Sequence, residues 1–349
     1  MPQDIQKQMS DMEGIGKALN WCYQEYKVTP IKWIWDIPFG MSEIYLCQDI
    51  VRGRRIGMGM SQEELAEGIC DPVTISRIEC GKSYPKRKVL VKLLQKLKWT
   101  GENCTLTAQI GDPEYHRITS QISSMTYLGK HAEAKQILEE LDEKIEEKNV
   151  FAKQYFLINL GTVEFALGKK SSQEFYNLAE EALYLTVPRV DMERLKKWHF
   201  TRCEVMCINM MSYACESVGE VECVIELLEI VKKFYEKQKF KLEHYLVGYE
   251  LTLRNLDNLL GNIGQYKKSI LLADVCIKRA LCSGRIGNAA VALYDKGWGM
   301  EHLYADGKFT KKESFNYVKV SYYLSLFIDK KNHYKHCKKH IKELYGDDI

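Results

Sequence analysis

Proline is scarce in this chain. The 349 residues hold 7 prolines against 50 Lys+Arg and 47 Asp+Glu. With Leu, Glu and Lys abundant, so few helix breakers favour helix and exclude collagen-like and low-complexity classes. Long apolar runs are also missing: nothing approaches the roughly 18 residues of a membrane span. Residues 1–20, MPQDIQKQMSDMEGIGKALN, lack the basic start and apolar stretch of a secretion signal. Strand-like alternation does not extend beyond a few residues, so we expect an all-α chain. The 12 cysteines do not make a dense disulfide framework at this length. Cys203, Cys207, Cys215 and Cys276 sit inside apolar helical pattern, where a thiol acts as a small hydrophobe. These absences predict a reducing, cytoplasmic setting with no membrane partner. No serine or cysteine nucleophile motif and no paired carboxylates stand out. We therefore expect neither an enzyme nor a cofactor.

The net charge of +3 is bland, but its distribution is not. Residues 42–100 carry 11 Lys/Arg and 7 Asp/Glu, an excess of +4, whereas residues 1–41 sum to −1 and residues 101–349 to 0. A positive excess confined to one short segment points to a polyanionic partner there. The same boundaries divide the pattern into three expected domains. Residues 1–41 hold one amphipathic helix, about Gln3 to Tyr26, and the aromatic stretch IKWIWDIPFG. Residues 42–100 read as four or five short helices. Residues 101–349 read as long helices with very short breaks.

Within 42–100, Ser61 and Glu64 have the spacing of a capping box that opens a helix over 63–69. Cys70-Asp71-Pro72 is a turn, in which Asp71 can cap and Pro72 suits the first helical position. Val73–Glu79 forms the next helix, which Gly81 ends. Two short helices joined in this way cross steeply, and the second projects as a reading head for the major groove. The strings MSQEELAEGI (60–69) and TISRIECGK (74–82) resemble the phage-repressor-type helix-turn-helix of the Xre class. Leu65, Ala66, Ile69, Ile75 and Ile78 are its packing positions. The resemblance implies that Gln62 contacts a phosphate, that Thr74 and Arg77 reach bases or backbone, and that Arg55 pairs with Glu79. Pro72 and Val73 stand where the family often has polar base readers. Val73 can touch a thymine methyl but cannot hydrogen-bond to a base edge. Lys82, Lys86, Arg87 and Lys88 are candidates for phosphate contacts, which carry affinity without sequence information.

Residues 101–349 repeat. Breaks at 127–138, 217–228, 262–273 and 306–317 each hold a glycine followed by a new amphipathic helix, with a looser copy at 166–179. The glycines at 129, 168, 219, 264 and 307 are spaced by 39, 51, 45 and 43 residues, the period of an α-solenoid of helix pairs. The pattern resembles tetratricopeptide repeats, most clearly at NLDNLLGNIGQYKKSI (255–270). Five pairs are expected, near 112–148, 150–186, 197–237, 242–282 and 286–329, with a lysine-rich cap near 331–345. A solenoid presents a groove lined by its first helices. The residues expected to face inward are Thr119, Ser123 and Thr126, then Tyr155 and Thr162, then Asn209, Tyr213 and Glu216. The later pairs add Arg254, Asn258 and Asn262, then Tyr294, Trp298 and Glu301. Asn amides and aromatic faces suit a short peptide. The repeats would otherwise serve dimerisation or a protein partner alone.

A helix-turn-helix joined to such repeats resembles the Rgg/PlcR-like (RRNPP) peptide-sensing transcriptional regulators. The resemblance implies binding to double-stranded DNA, a short signalling peptide in the groove and homodimerisation. The alternatives are an interaction scaffold whose helix-turn-helix no longer binds DNA, and a ligand-free repressor of a phage or mobile element. In that family the DNA-binding domain opens the chain, whereas here residues 1–41 precede it. Residues 14–26 resemble a first repeat helix, which would make the chain a segment or remnant of a longer repeat protein. Alternatively residues 1–41 pack on the DNA-binding domain and bury Trp21, Trp33, Trp35 and Phe39 there. His333, His336, Cys337 and His340 share one helical face, but one face rarely closes a tetrahedral metal site, and a basic cap is the better reading. Gly53, Gly57 and Gly59 only loosely suggest a phosphate loop and lack its Gly-Lys-Ser/Thr.

Overall fold

The computed structural model describes residues 3–30, 47–83, 85–99, 118, 121, 122, 125, 126, 130–142, 150–189, 191–237 and 247–346. The described residues form helices and no strand, as the periodicity predicts. The chain divides into two compact units, Ser42–Phe240 and the pair of segments Met1–Met41 with Lys241–Ile349.

The first of these units opens with four short helices, α2 (Cys47–Gly57), α3 (Gln62–Ala66), α4 (Pro72–Glu79) and α5 (Arg87–Lys96). Val51, Leu65, Ala66, Ile75, Ile78, Leu93 and Leu97 form their shared core. The Ser61–Glu64 capping box is present in both directions, each partner bonding the other's backbone N–H. Two local expectations need correcting. The helix ends at Ala66 rather than Ile69, because Glu67 leaves helical geometry and Gly68 takes a left-handed φ of 71°. Asp71 makes no side-chain cap, although Pro72 does stand at the first helical position.

The other elements described in this unit are also helices. α6 (His131–Asp142) precedes α7 (Val150–Ala166) and α8 (Ser172–Tyr184). A short α9 (Met192–Leu195) leads into α10 (Arg202–Ser212), α11 (Cys215–Val218) and α12 (Val221–Glu236). The expected first helix of the third pair is therefore broken at Tyr213-Ala214.

The second unit holds α13 (Val247–Asn262), α14 (Tyr266–Cys282), α15 (Ile286–Glu301), α16 (Lys311–Phe327) and α17 (Lys331–His340), each packed on the next. The break glycines 168, 219, 264 and 307 all have positive φ, which lets each first helix end and its partner turn back within a few residues. Gly129 lies outside the described residues. The architecture is thus all-α, with a helix-turn-helix domain and tetratricopeptide-like helix pairs.

The amino-terminal helix α1 (Gln3–Glu25) belongs to the second unit. It packs along α16, where Trp21 meets the Tyr317 ring edge-on at 5.2 Å and Gly14 leaves room for Tyr323. Tyr26 donates to Asp274 on α14 at 3.0 Å, and Lys296 on α15 donates to Asp274 at 2.6 Å and to the Tyr317 hydroxyl at 2.9 Å. The expectation that Trp21 packs on the DNA-binding domain is therefore corrected: its partner is the final helix pair. Trp33, Trp35 and Phe39 lie outside the described residues.

Candidate nucleic-acid interface and repeat surfaces

The helix-turn-helix is fastened by one acidic residue. Glu79, buried at the end of α4, accepts from Arg55 Nε at 2.6 Å and Nη2 at 3.0 Å, and from Gln62 Nε2 at 2.8 Å. Arg55 Nη1 also donates to the Met60 carbonyl, tying α2 to the start of α3. This is the ion pair that the sequence resemblance implies. It has a consequence for Gln62: its amide is engaged within the protein, which fixes the α3–α4 crossing. Lys96 on α5 donates to the carbonyls of Glu64 and Glu67 and satisfies the open end of α3.

With that scaffold set, α4 turns Val73 and Arg77 outward. Val73 is 61% exposed, a high value for an apolar side chain, and Arg77 is also exposed. The two are four residues apart and share a face. Thr74 beside them is half-buried. Lys82, Lys86 and Lys88 are exposed on the following turn and the start of α5. Arg87 is the first residue of α5, and its side chain lies outside the described atoms. The arrangement offers one apolar and one guanidinium reader with ammonium groups beyond them.

A second constellation, not anticipated from the sequence, fastens α2 to the helix pairs of the same unit. Arg54 and Glu204 are both fully buried and form a two-pronged ion pair, with both N···O distances 2.9 Å. The Glu204 carboxylate also accepts from Thr186 at 2.7 Å, Trp198 Nε1 at 3.2 Å and the Thr201 N–H at 2.7 Å. The Arg54 guanidinium lies over the Trp198 ring at 4.2 Å. Burial and the Arg54 charge push His199 down to about 3, so it is neutral at physiological pH. Gly53 and Gly57 acquire a role here. A Cβ on Gly57 would overlap Trp198 Cε3, and one on Gly53 would stand 3.2 Å from the Lys197 carbonyl. They are close-approach positions rather than parts of a phosphate loop.

The residues expected to line a groove are scattered. Asn209 is fully buried and donates to the Val205 carbonyl at 2.8 Å. It is corrected from a groove residue to a core one, because α10 lies between neighbours on both flanks. Tyr155 packs against the Ile118, Ile122 and Val163 cluster, and Thr162 bonds back to the Ile158 carbonyl. Tyr213 is 56% exposed, where α10 breaks. Thr119 and Ser123 lie outside the described residues.

In the second unit, Asn258 and Asn262 are exposed one turn apart on α13, with Arg254 half-buried a turn before. Arg254 and Lys330 act electrostatically on the Asp295 carboxyl, whose pKa burial raises. Tyr294, Trp298 and Glu301 do not present one free face. The Tyr294 hydroxyl meets His336 Nε2 at 2.7 Å and His340 Nδ1 at 2.9 Å. Glu301 bonds His340 Nε2 at 3.0 Å. Trp298 turns the other way, onto Tyr266 and His302. α15 is flanked on both sides, so a spacing of four and three residues spans both flanks. The histidine stripe of α17 is accordingly its packing face: His333 meets Ser321, and burial with nearby Lys330 pushes it down to about 4. Its lysines 331, 335 and 339 face solvent. Among the described residues no group of His, Cys, Asp or Glu is placed to hold a metal ion, and no helix is long and apolar enough to cross a membrane.

Residues 51–100 match the helix-turn-helix family model. Comparison with curated proteins finds no match. Among solved structures, the chain is similar to Bacillus thuringiensis PlcR in complex with the peptide PapR7 and DNA. Identity is 15%, coverage is 84% of this chain and 99% of that one, and the TM-score is 0.50. It is also similar to the apo form of the competence regulator ComR from Streptococcus vestibularis, at 13% identity, 86% and 99% coverage and a TM-score of 0.49. At such identity the PlcR match shows the fold alone: a helix-turn-helix domain combined with tetratricopeptide-like repeats.

Proposed function

We propose that the chain is a sequence-specific DNA-binding transcriptional regulator. Residues 42–100 form its DNA-binding domain, and the repeats over 101–349 bind a short peptide or protein partner and dimerise. The observation that carries the DNA part is the intact Arg55–Glu79–Gln62 lock, which holds α3 and α4 crossed while leaving Val73 and Arg77 outside. A buried lock with an exposed reading face is what docking a recognition helix into a major groove requires. Val73 against a thymine methyl and Arg77 on a guanine edge or a phosphate would carry sequence preference, with Thr74 at the margin. Lys82, Lys86 and Arg87 would supply salt-dependent affinity.

The peptide part rests on fewer residues than the sequence suggests. Arg254, Asn258 and Asn262 form a polar stripe along α13, and exposed amides of this kind pair with an extended peptide backbone. Tyr213 is a second exposed aromatic candidate. The PlcR structure, which contains both a peptide and DNA, has the same fold and supports this assignment.

The test is a mobility shift of the full chain on the DNA upstream of its own gene, against random duplex, at two salt concentrations. Preferential binding that survives the higher salt is expected. Equal binding to both duplexes at low salt, lost together as salt rises, would refute sequence-specific regulation.

A further inference from the structure

The unit Ser42–Phe240 contains a cavity of about 260 Å³ that the DNA-binding reading does not use. It lies among α8, the 187–200 segment, α10 and α12. Its floor is apolar: Leu195, Phe200, Met211 and Leu227 are all buried. Its edge is polar: Glu180 and Glu220 are the charged lining residues, and the one cation recorded against the lining, Arg189, is stacked on the Tyr184 ring at 4.0 Å. The neighbouring groups register that field. Burial first, then Cys223, then Glu220 and Glu180, raise the Tyr176 hydroxyl, and burial followed by Glu220, Glu226 and Glu180 raises the Cys223 thiol. An apolar floor with convergent polar groups at its mouth is the usual form of a small-molecule site. The volume falls a little short of the roughly 300–1,000 Å³ of drug-sized pockets, too small for a peptide segment.

The cavity wall has a second side. Leu195 and Phe200 face the cavity, while the residues between and beside them hold α2. Arg194 stands 3.3 Å from where a Gly59 Cβ would be, Trp198 lies under Arg54 and against Gly57, and His199 lies against Gly53. The single segment 191–201 therefore forms both part of the cavity wall and the seat of α2. A molecule that moves the wall moves the seat.

We propose that this cavity binds a small amphipathic cation, an amine carried on an aromatic or aliphatic body, and that occupancy is transmitted through residues 191–201 to α2. The body fills the floor, and the ammonium group meets Glu180 and Glu220 at the mouth. Neither half depends on DNA binding, and the assay contains no DNA, so its failure and that of the proposed function are separable.

The probe is tryptamine, protonated at pH 7, titrated into the full chain by calorimetry, with indole-3-acetate as the same ring bearing the opposite charge. Saturable one-to-one binding of tryptamine and none of indole-3-acetate is expected. Glu180→Gln, which keeps the shape and removes the charge, should weaken tryptamine by about tenfold or more, as for a lost charge-assisted hydrogen bond. Cys223→Trp should fill the cavity and abolish binding, with Glu180→Gln carrying the test if that variant misfolds. Hydrogen exchange over 47–57 should change when tryptamine saturates the protein. Absence of binding, equal binding of the two indoles, or an affinity untouched by Glu180→Gln would overturn the site. Binding with unchanged exchange over 47–57 would overturn the transmission.

Discussion

The Arg54–Glu204 pair supports a prediction whose sign, and not only its size, can be checked. Both side chains are fully buried. One carboxylate serves five donors: two from Arg54, and one each from Thr186, Trp198 and Thr201. Glu204→Leu strands a cation where water cannot reach it. Breaking a buried pair from one side costs about 3–5 kcal/mol. It also orphans the Trp198 and Thr201 N–H groups, at about 1–3 kcal/mol each. The Thr186 hydroxyl loses its acceptor as well, while its oxygen still accepts from Gln154. In the wild-type background Arg54→Met is destabilising, because it leaves a buried anion short of two donors. In the Glu204→Leu background the same change removes the stranded charge and should be stabilising, by one or more kcal/mol. The effect of Arg54→Met therefore reverses sign across the double-mutant cycle. Urea denaturation of the four proteins, with hydrogen exchange of α2 and α10 to localise the transition to this unit, measures each corner. If Arg54→Met costs the same in both backgrounds, within the roughly 0.5 kcal/mol expected of independent sites, the pair is not coupled and the account of how α2 is held is wrong.

Three further predictions follow from the same geometry. His199 has a folded pKa of about 3 against an ordinary 6.5, so the unfolded chain takes up the proton first. Its contribution is complete above pH 6.5 and is lost as pH falls toward 3, with an upper limit of about 5 kcal/mol at 1.36 kcal/mol per unit. His199→Leu should flatten the stability profile between those pH values in urea melts, and an unchanged slope would refute the assignment. Gly57→Ala drives a methyl into the Trp198 ring and should cost about 1–3 kcal/mol, as overpacking does. Thermal melting at or above the wild-type temperature would show that the approach is not tight. Arg77→Ala should narrow the gap between specific and random duplex by about 1–3 kcal/mol, whereas Lys86→Ala should weaken both alike and lower the salt slope by about one. Parallel losses for the two variants would remove Arg77 from base recognition.

What could be read from the sequence divides cleanly by range. The Ser61–Glu64 capping box, Pro72 at a helix start and the positive-φ glycines 168, 219, 264 and 307 are decided within about four residues. Each appears where the pattern places it. The apolar positions Leu65, Ala66, Ile75 and Ile78 are equally local and form the expected core. The pairing of Arg55 with Glu79 spans 24 residues, and only the family resemblance implies it. Arg54 and Glu204 are 150 residues apart, and nothing in either neighbourhood names the other. The same holds for Tyr26 and Asp274, 248 residues apart, which place α1 on the last helix pairs.

The groove residues failed for a different reason, which also indicates how to choose better ones. Helical spacing tells which residues share a face, but not how many of a helix's faces are covered. In a stacked array each inner helix has neighbours on two flanks and is free on a narrow strip only. Asn209 lies on a covered flank, and its amide turns back to its own helix at Val205. Tyr294 and Glu301 lie on the flank that α17 covers, and Trp298 lies toward Tyr266. On α13 the spacing picks out the free strip, so Asn258 and Asn262 remain exposed. A polar residue on a repeat helix is thus a ligand candidate only where its strip stays exposed over successive turns, as it does at Asn258 and Asn262 with Arg254 half-buried a turn before. Asn209 has Val205 four residues before it and Ser212 three after, both buried. By that criterion α13 is the helix on which substitutions should first be made in any search for a bound peptide.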